Sequence, residues 1–447
     1  MRSESATRPA SDRRAILALA WPAFLTLVAE PLFLLADSAI VGHLGTVELA
    51  ALGVAGAVVT TLVGLCIFLA YGTTAAVARR VGAGDPTGAC ALGVDGMWLA
   101  VGVGLGLLVL VQATAPWLVG PFGAGPQVAE DATVYLRVSV FGIPGLLVGL
   151  AATGVLRGFA DTRTPLIVAV VTQTLNALAN VVLVYGIGAW PGLGLVGSAT
   201  GTLISQTLGG VLFTIVVVRL ARRHQVGLRP DLGGVLTAGR ASVPLLVRTL
   251  TLRVALLMTT LVASGFGPAA LAAHQVAFNV WNLLALALDA VAIAAQTLTG
   301  QTLGAGDADH TRRVTRVMIH WGIGAGVLLG LLVLAGHRLV PVLFTTDPAV
   351  RRLLAGVLLI AAVWQPVCGM VFVLDGVLIG AGDTTYLAWA GAATLLVFVP
   401  LALLVWRYSA GLTWLWWAYG AFMLARMVTL WWRARGDRWL RLGASLG

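Results

Sequence analysis

Two carboxylates lie inside the first long apolar stretch of the chain. Glu30 and Asp37 are seven residues apart, which is about two turns of an α-helix, so both lie on one helix face. Pro31 lies between them, and it removes a backbone hydrogen bond and can kink the helix. Ionisable side chains at membrane depth are costly and mark ion or substrate pathways. We predict that these carboxylates carry a coupling proton, and the alternative is that one of them, Glu30 more readily than Asp37, is an interfacial residue near the outer end of the helix.

Amide side chains form a polar face on the fifth apolar stretch. Gln173, Asn176 and Asn180 follow the i, i+3, i+7 spacing of a single helix face. The face indicates an ion or substrate site, and hydrogen bonding between helices is the alternative.

A longer polar stripe occupies the eighth apolar stretch, within an arc of roughly 100°. It consists of Gln275, Asn279, Asn282, Asp289 and Gln296. A polar stripe along a membrane helix normally faces a cavity, so we predict that it lines the substrate or cation cavity. The alternative is a network of hydrogen bonds between helices.

Two arginines, Arg248 and Arg253, lie in the seventh apolar stretch. A guanidinium at membrane depth needs a partner, and Asp289 and Asp375 are the acids available in the same half of the chain. Arg248 and Asp375 therefore join the candidate residues of the cavity.

Composition places the chain in lipid. Of 447 residues, 59% are hydrophobic and only 10% are charged, whereas soluble domains carry roughly 25% charged residues. The net charge of +10 resides in short arginine clusters between apolar stretches, which is typical of orientation signals and not of nucleic-acid binding. The sequence contains no lysine, which excludes the lysine-dependent phosphate loop of ATPases. The three cysteines lack the spacing of metal ligands.

Twelve apolar stretches are long enough to cross a bilayer, which requires about 20 helical residues. They cover residues 16–41, 47–78, 91–113, 131–156, 165–186, 195–219, 239–264, 269–303, 315–336, 349–378, 385–406 and 413–432. Arginines concentrate in alternate loops, so the positive-inside rule places both termini in the cytoplasm. The sequence predicts an all-α polytopic protein of a bacterial plasma membrane.

The two halves repeat each other at an offset of 222 residues. The tetrapeptide GAGD occurs at 82–85 and again at 304–307, and Pro22 matches Pro244. Six crossings return the chain to its starting side, so both copies have the same polarity and flank a substrate cavity. We predict six-helix lobes at 16–220 and 239–434, a cytoplasmic linker at 221–238, and tails at 1–15 and 435–447. We expect a monomer that needs no cofactor or structural metal.

Three motifs carry a family resemblance. The first stretch reads AEPLFLLADSAIVGHLG, the fourth ends in GVLRGFADTRTPL, and the eighth contains ALDAVAIAAQTLTGQTLGAGD. Together they resemble the multidrug and toxic compound extrusion (MATE) family, nearest its DinF-like branch, over nearly the whole chain.

The resemblance implies a V-shaped bundle of twelve helices that exports lipophilic, often cationic compounds in exchange for H⁺ or Na⁺. The acid of the family's first helix matches Asp37, its fifth-helix asparagine matches Asn176, and its ALD motif matches Asp289. Many members have an aspartate where this chain has Asn180. That difference argues against sodium and leaves Asp37 as the proton carrier.

Two other functions are compatible with the residues. A lipid or lipid-linked precursor flippase of related fold would need a more cationic cavity, for which Arg248 and Arg253 are available. An intramembrane enzyme lacks support, because the sequence contains no catalytic motif.

Overall fold

The computed structural model describes residues 8–444, so the first part of the predicted N-terminal tail and the last three residues lie outside the described chain. Residues 8–444 fold into α-helices joined by short loops. The helices of the first half are α1 (Arg8–Gly42), α2 (Thr46–Leu65), α3 (Phe68–Gly82), α4 (Pro86–Val119), α5 (Pro126–Ser139), α6 (Ile143–Gly158), α7 (Arg163–Tyr185) and α8 (Leu195–Arg223).

The second half follows the same order of long helices. Its helices are α9 (Leu232–Ser264), α10 (Pro268–Gly304), α11 (Ala308–Gly336), α12 (Leu339–Phe344), α13 (Pro348–Gly380), α14 (Thr384–Arg407) and α15 (Leu412–Arg435).

Eleven helical stretches within the described residues are long and apolar enough to cross a membrane. The last long helix, α15, is not among them, because Arg426 and several tryptophans make it less apolar. Its 24 residues still extend about 36 Å at 1.5 Å per residue, which is enough for one crossing. The predicted all-α polytopic fold is confirmed, and α15 is long enough for the twelfth predicted span.

Two of the predicted spans contain a break. The span predicted at 47–78 changes at Cys66 from α2 to α3, and the span predicted at 131–156 changes at the 3₁₀ turn Val140–Gly142, just before Pro144. At each break one helical turn is tighter. The Cys66 amide, for example, donates to the carbonyl three residues earlier, that of Val63. Neither break ends the long apolar helical stretch.

The chain divides into two compact units, and three of the four boundaries between them fall inside helices. One unit comprises Leu25–Val81 with Asp85–Ser242. The other comprises Val243 to the end of the described chain, with Gly82–Gly84 and the described residues up to Phe24. Helices also extend into the predicted linker from both sides, so that only residues 224–231 connect α8 to α9.

The repeated GAGD tetrapeptide has the same structure in both halves. Gly84 and Gly306 have φ angles of 74° and 77°, a left-handed conformation that favours glycine. Asp85 and Asp307 then cap α4 and α11, each accepting a hydrogen bond of 2.8 Å from the amide three residues later. That amide bond and the Arg80 guanidinium hold the pKa of the Asp85 carboxyl below its usual value.

Glycines bring helices into backbone contact at matching positions of the two halves. A Cβ on Gly154 in α6 would lie 2.6 Å from the carbonyl oxygen of Ala70 in α3. A Cβ on Gly376 in α13 would lie 2.3 Å from the carbonyl oxygen of Ala292 in α10. Lipid tails are as apolar as the helices, so close small-residue contacts of this kind drive helix association.

Replacing Gly376 by alanine should destabilise the protein, because a backbone carbonyl cannot yield as a flexible side chain can. Overpacking of this kind costs about 1–3 kcal/mol, and Gly154→Ala should cost somewhat less. Thermal unfolding in detergent measures the effect. The control is Gly356→Ala in the same helix, where a Cβ meets no atom within 4 Å. Equal melting temperatures for Gly376→Ala and the control would contradict this account.

Candidate functional site

The carboxylate of Asp37 is buried where α1 meets α7 and α8. The residue is only 3% exposed. The side-chain amide of Asn180 donates to Oδ1 at 2.7 Å, and the hydroxyl of Ser198 donates to the same oxygen at 2.8 Å. The Tyr185 hydroxyl also donates to the Ile40 carbonyl and holds α1 beside α7. The structure thus brings together two sequence-predicted residues, Asp37 and Asn180, from distant parts of the chain.

Several oxygen atoms of Asp37 and of α7 receive no hydrogen bond from the described residues. Asn176 and Asn180 are buried, yet neither side-chain oxygen has a partner among the described residues. Both described donors to Asp37 bond to its Oδ1 atom. Oδ2 accepts no hydrogen bond from the described residues. Buried polar atoms without partners are rare and need an explanation. Here Oδ2 of Asp37 can take a proton, and the two amide oxygens of α7 can accept a further hydrogen bond.

Gly201 and Tyr135 complete the surroundings of Asp37. A Cβ on Gly201 in α8 would lie 1.9 Å from Oδ1 of Asn180, so the missing side chain provides the space that the amide occupies. Tyr135 of α5 is buried, with its hydroxyl 3.4 Å from that of Thr202. The two hydrogen-bond donors to Asp37 are neutral, so the carboxylate is solvated by dipoles and not by a paired cation.

Glu30 lies in a different environment from Asp37. Its side chain is exposed and makes no hydrogen bond or ion pair with the described residues. Helix α1 continues without interruption through Pro31. Spacing places both carboxylates on one helix face, but only Asp37 is packed against other helices.

In the second half, Asp375 lies between two arginines. Arg248 of α9 donates to Oδ2 of Asp375 at 2.8 Å, and Arg426 of α15 donates to the same oxygen. The side chains of Arg248, Asp375 and Arg426 are 12%, 8% and 11% exposed. The Arg426 guanidinium also lies over the Phe422 ring. The prediction that Arg248 pairs with an acid of its own half is confirmed at Asp375, and the cluster links α9, α13 and α15.

The polar stripe of α10 is divided between two environments. Gln275, Asn279 and Asn282 are exposed, Asp289 is half-buried, and Gln296 is buried. At the buried end, α13 approaches so closely that a Cβ on Gly380 would lie 2.3 Å from the Gln296 carbonyl oxygen. The exposed end is therefore the part of the stripe that is available to a ligand.

The second half does not repeat the buried acid of the first. The residue that matches Asp37 at the 222-residue offset is Thr259, which is also buried. A small crevice beside it is lined by Leu256, His274, Phe278, Trp416 and Tyr419. The scaffold is thus shared, whereas the chemistry at equivalent positions is not.

Sequence reasoning missed three residues that these sites require. Arg426 was detectable, because it is a single charge in the apolar run FMLARMV. Like Arg248, it is a guanidinium at membrane depth that needs an acidic partner. Ser198 and Gly201 give no such signal, because small residues occur throughout membrane helices as ordinary packing positions.

Comparison with known proteins defines the class as a polytopic transporter of two homologous halves. The MatE family model matches residues 22–182 and again residues 244–404. The two matches begin 222 residues apart, which agrees with the internal repeat. The chain belongs to the MatE family of multidrug and toxic compound extrusion transporters.

Similar proteins come from plants and bacteria. Protein DETOXIFICATION 44, chloroplastic, of Arabidopsis thaliana is 32% identical over 440 residues, covering 94% of this chain and 81% of its own length. DNA damage-inducible protein F of Escherichia coli (strain K12) is 29% identical over 408 residues, covering 87% and 86% respectively. Placement in the DinF-like branch stays a prediction.

Solved transporter structures share the fold. The Vibrio cholerae MATE transporter VcmN in the bent form superimposes with a TM-score of 0.86 at 22% identity, covering 97% of this chain and 98% of that one. A transporter of the MOP superfamily from Pyrococcus furiosus gives a TM-score of 0.85, with 95% of each chain covered.

Removing Asp375 should destabilise the protein more than removing Arg248. Asp375→Asn leaves two buried guanidiniums without their shared carboxylate, a loss that typically costs about 3–5 kcal/mol. Arg248→Met leaves the ion pair between Asp375 and Arg426 intact. Melting temperatures in detergent test the order, with Arg253→Met in the same helix as the control. If Arg248→Met destabilises as much as Asp375→Asn, the shared carboxylate is not the centre of the cluster.

Proposed function

We propose that this protein exports lipophilic, often cationic compounds from the bacterial cytoplasm in exchange for protons. The observation that carries the proposal is the buried Asp37 carboxylate, which accepts two neutral hydrogen bonds on one oxygen and has no described donor on the other. A proton on Oδ2 can remove the charge without breaking either bond. Asp37 can therefore change its charge in place, as a coupling site requires.

Protonation of Asp37 has a direct effect on packing. A charged carboxylate in a buried site is unfavourable without strong compensation, so the deprotonated form favours a state in which water or a cation reaches it. The protonated form favours the packed arrangement of α1, α7 and α8. An ion drives a conformational equilibrium by binding two states with different affinity, and this carboxylate provides that difference.

The first-half site favours a proton over sodium. Hard cations bind best to anionic oxygen ligands, and Asp37 is the only acid among the residues described around this site. Where many members of the family have a second acid, this chain has the neutral amide of Asn180. One proton neutralises the single carboxylate and, unlike a sodium ion, needs no further oxygen ligands.

The cargo site proposed here lies along the exposed end of the α10 stripe. Gln275, Asn279 and Asn282 supply hydrogen-bonding groups on an exposed surface, and Asp289 in the same helix supplies negative charge. Sites of this kind bind largely by apolar area with a few polar groups, and many ligands therefore fit. The carboxylate of Asp289 favours cationic cargo. We further propose that the protein works as a monomer with both termini in the cytoplasm.

A lipid or lipid-linked precursor flippase is the second candidate. The observation that favours it is Arg253, a partly exposed guanidinium that makes no ion pair or hydrogen bond with the described residues. An anionic headgroup would supply its partner. Export of a cationic dye but no translocation of fluorescent anionic lipid would decide against this candidate.

Asp37→Asn should abolish export driven by a pH gradient, because the amide preserves the shape of the carboxyl group but cannot bind and release a proton. Uptake of a lipophilic cationic dye into inverted proteoliposomes with an imposed pH gradient measures the loss.

Glu30→Gln is the matched control on the same helix and should retain most of the activity. Both variants should melt close to the wild type. Full export by Asp37→Asn would show that the coupling proton binds elsewhere.

A sodium gradient alone, at clamped pH, should drive little export, because the first-half site has one carboxylate. Asn180→Asp should introduce sodium-driven export by adding an anionic ligand beside Asp37. Robust sodium-driven export by the wild type that survives mutation of Asp289 and Asp375 would contradict the assignment. Loss of sodium-driven export in those mutants would instead place a sodium site in the second half.

A further inference from the structure

The segment between the two halves is fastened to α4. The indole N–H of Trp98 donates to the carbonyl of Leu228 at 3.0 Å. One turn earlier in α4, Oδ1 of Asp95 accepts a hydrogen bond from the amide of Asp231 at 3.3 Å. Two side chains of one helix therefore hold both the middle and the end of the connecting segment, residues 224–231.

The Asp95 carboxylate lies against the first turn of α9. A Cβ on Gly234 would lie 2.1 Å from its Oδ2, so the carboxylate occupies the space that any larger residue would need. The first amides of a helix have no partners within the helix, and a negative charge beside them is favourable. Asp95 is only 8% exposed. We call Asp95, Trp98, Leu228, Asp231 and Gly234 the α9 clip.

The α9 clip lies entirely within the compact unit formed by the first half. That unit extends through Ser242, so it includes about three turns of α9, although α9 begins the second repeat. Residues from Val243 onward belong to the other unit. Pro244 follows directly inside the helix. Proline removes a backbone hydrogen bond and allows a helix to bend.

We propose that the α9 clip is a positioning device for transport. With the clip closed, the base of α9 moves as part of the first-half unit, and α9 passes that movement through Pro244 to the second half. With the clip open, the connecting segment gains conformational freedom and absorbs the movement. Asp95 acts through α9 and makes no contact with cargo. The proposal requires only that the protein alternates between states as a transporter and is independent of the coupling ion.

Four variants separate the clip from general packing. Asp95→Ala removes the acceptor for the Asp231 amide, whereas Asp95→Asn keeps an oxygen acceptor there. Gly234→Ala places a methyl group where the carboxylate lies. Its matched control is Gly239→Ala in the same helix, where a Cβ meets only Leu99, at an ordinary 3.6 Å.

The measurements use the full-length protein. Hydrogen exchange of residues 226–236 reports whether the clip is closed. Counterflow of labelled tetraphenylphosphonium in proteoliposomes reports alternation between states and needs no ion gradient. Asp95→Ala and Gly234→Ala should speed exchange in that segment and lower the maximal counterflow rate about tenfold, as one lost hydrogen bond would, with half-saturation unchanged. Asp95→Asn and Gly239→Ala should stay close to the wild type.

Two outcomes would overturn the proposal. The first is fast exchange in Asp95→Ala with counterflow at the wild-type rate, since the clip would then be open without effect. The second is additive loss in the double variant Asp95→Ala/Gly234→Ala, because one device can be opened only once. If Asp95→Ala melts too low for reconstitution, Trp98→Phe tests the same prediction. The phenyl ring stays aromatic but is smaller than the indole and lacks its N–H donor, and wild-type counterflow with fast exchange would again contradict the clip.

Discussion

A carboxylate in a membrane interior must be neutralised, hydrogen-bonded or hydrated, because its burial is otherwise too costly. Asp37 meets this requirement with two neutral donors, one from α7 and one from α8. The position of the Asn180 amide depends in turn on Gly201, since the absent side chain leaves room for it. The packing of three helices is thus arranged around a single group, and a change in its charge alters the stability of that packing.

The two halves share a scaffold and differ in their charges. Gly154 and Gly376 make the same backbone contact with partners one repeat apart, so helix spacing is common to both halves. The buried acid of the first half is replaced by Thr259 in the second. The buried acid of the second half, Asp375, is held by two arginines. One half therefore contains an acid with neutral partners, and the other contains an acid that is already paired.

Apolar length and the 222-residue repeat were sufficient to predict the helices and their order, and the motifs that resemble the MATE family predicted the family fold. Membrane depth was sufficient to single out Asp37 and Asn180. The sequence could not distinguish Glu30 from Asp37, because spacing defines a helix face but not which helices pack against it. The contribution of Ser198 and Gly201 depends on the register of α8 against α7, a tertiary property with no local signal. The breaks in α2–α3 and α5–α6 lie within apolar runs that look continuous.

A single titratable group at the first-half site bears on how export is powered. If one proton is exchanged for one monovalent cation, the cycle moves no net charge. The membrane potential, which is worth about 2.3 kcal/mol per charge for each 100 mV, then contributes nothing. Only the pH gradient then acts, at about 1.4 kcal/mol per pH unit. A neutral cargo makes the same cycle electrogenic and adds the voltage to the driving force. Such an exporter would concentrate neutral compounds outside the cell more steeply than cations.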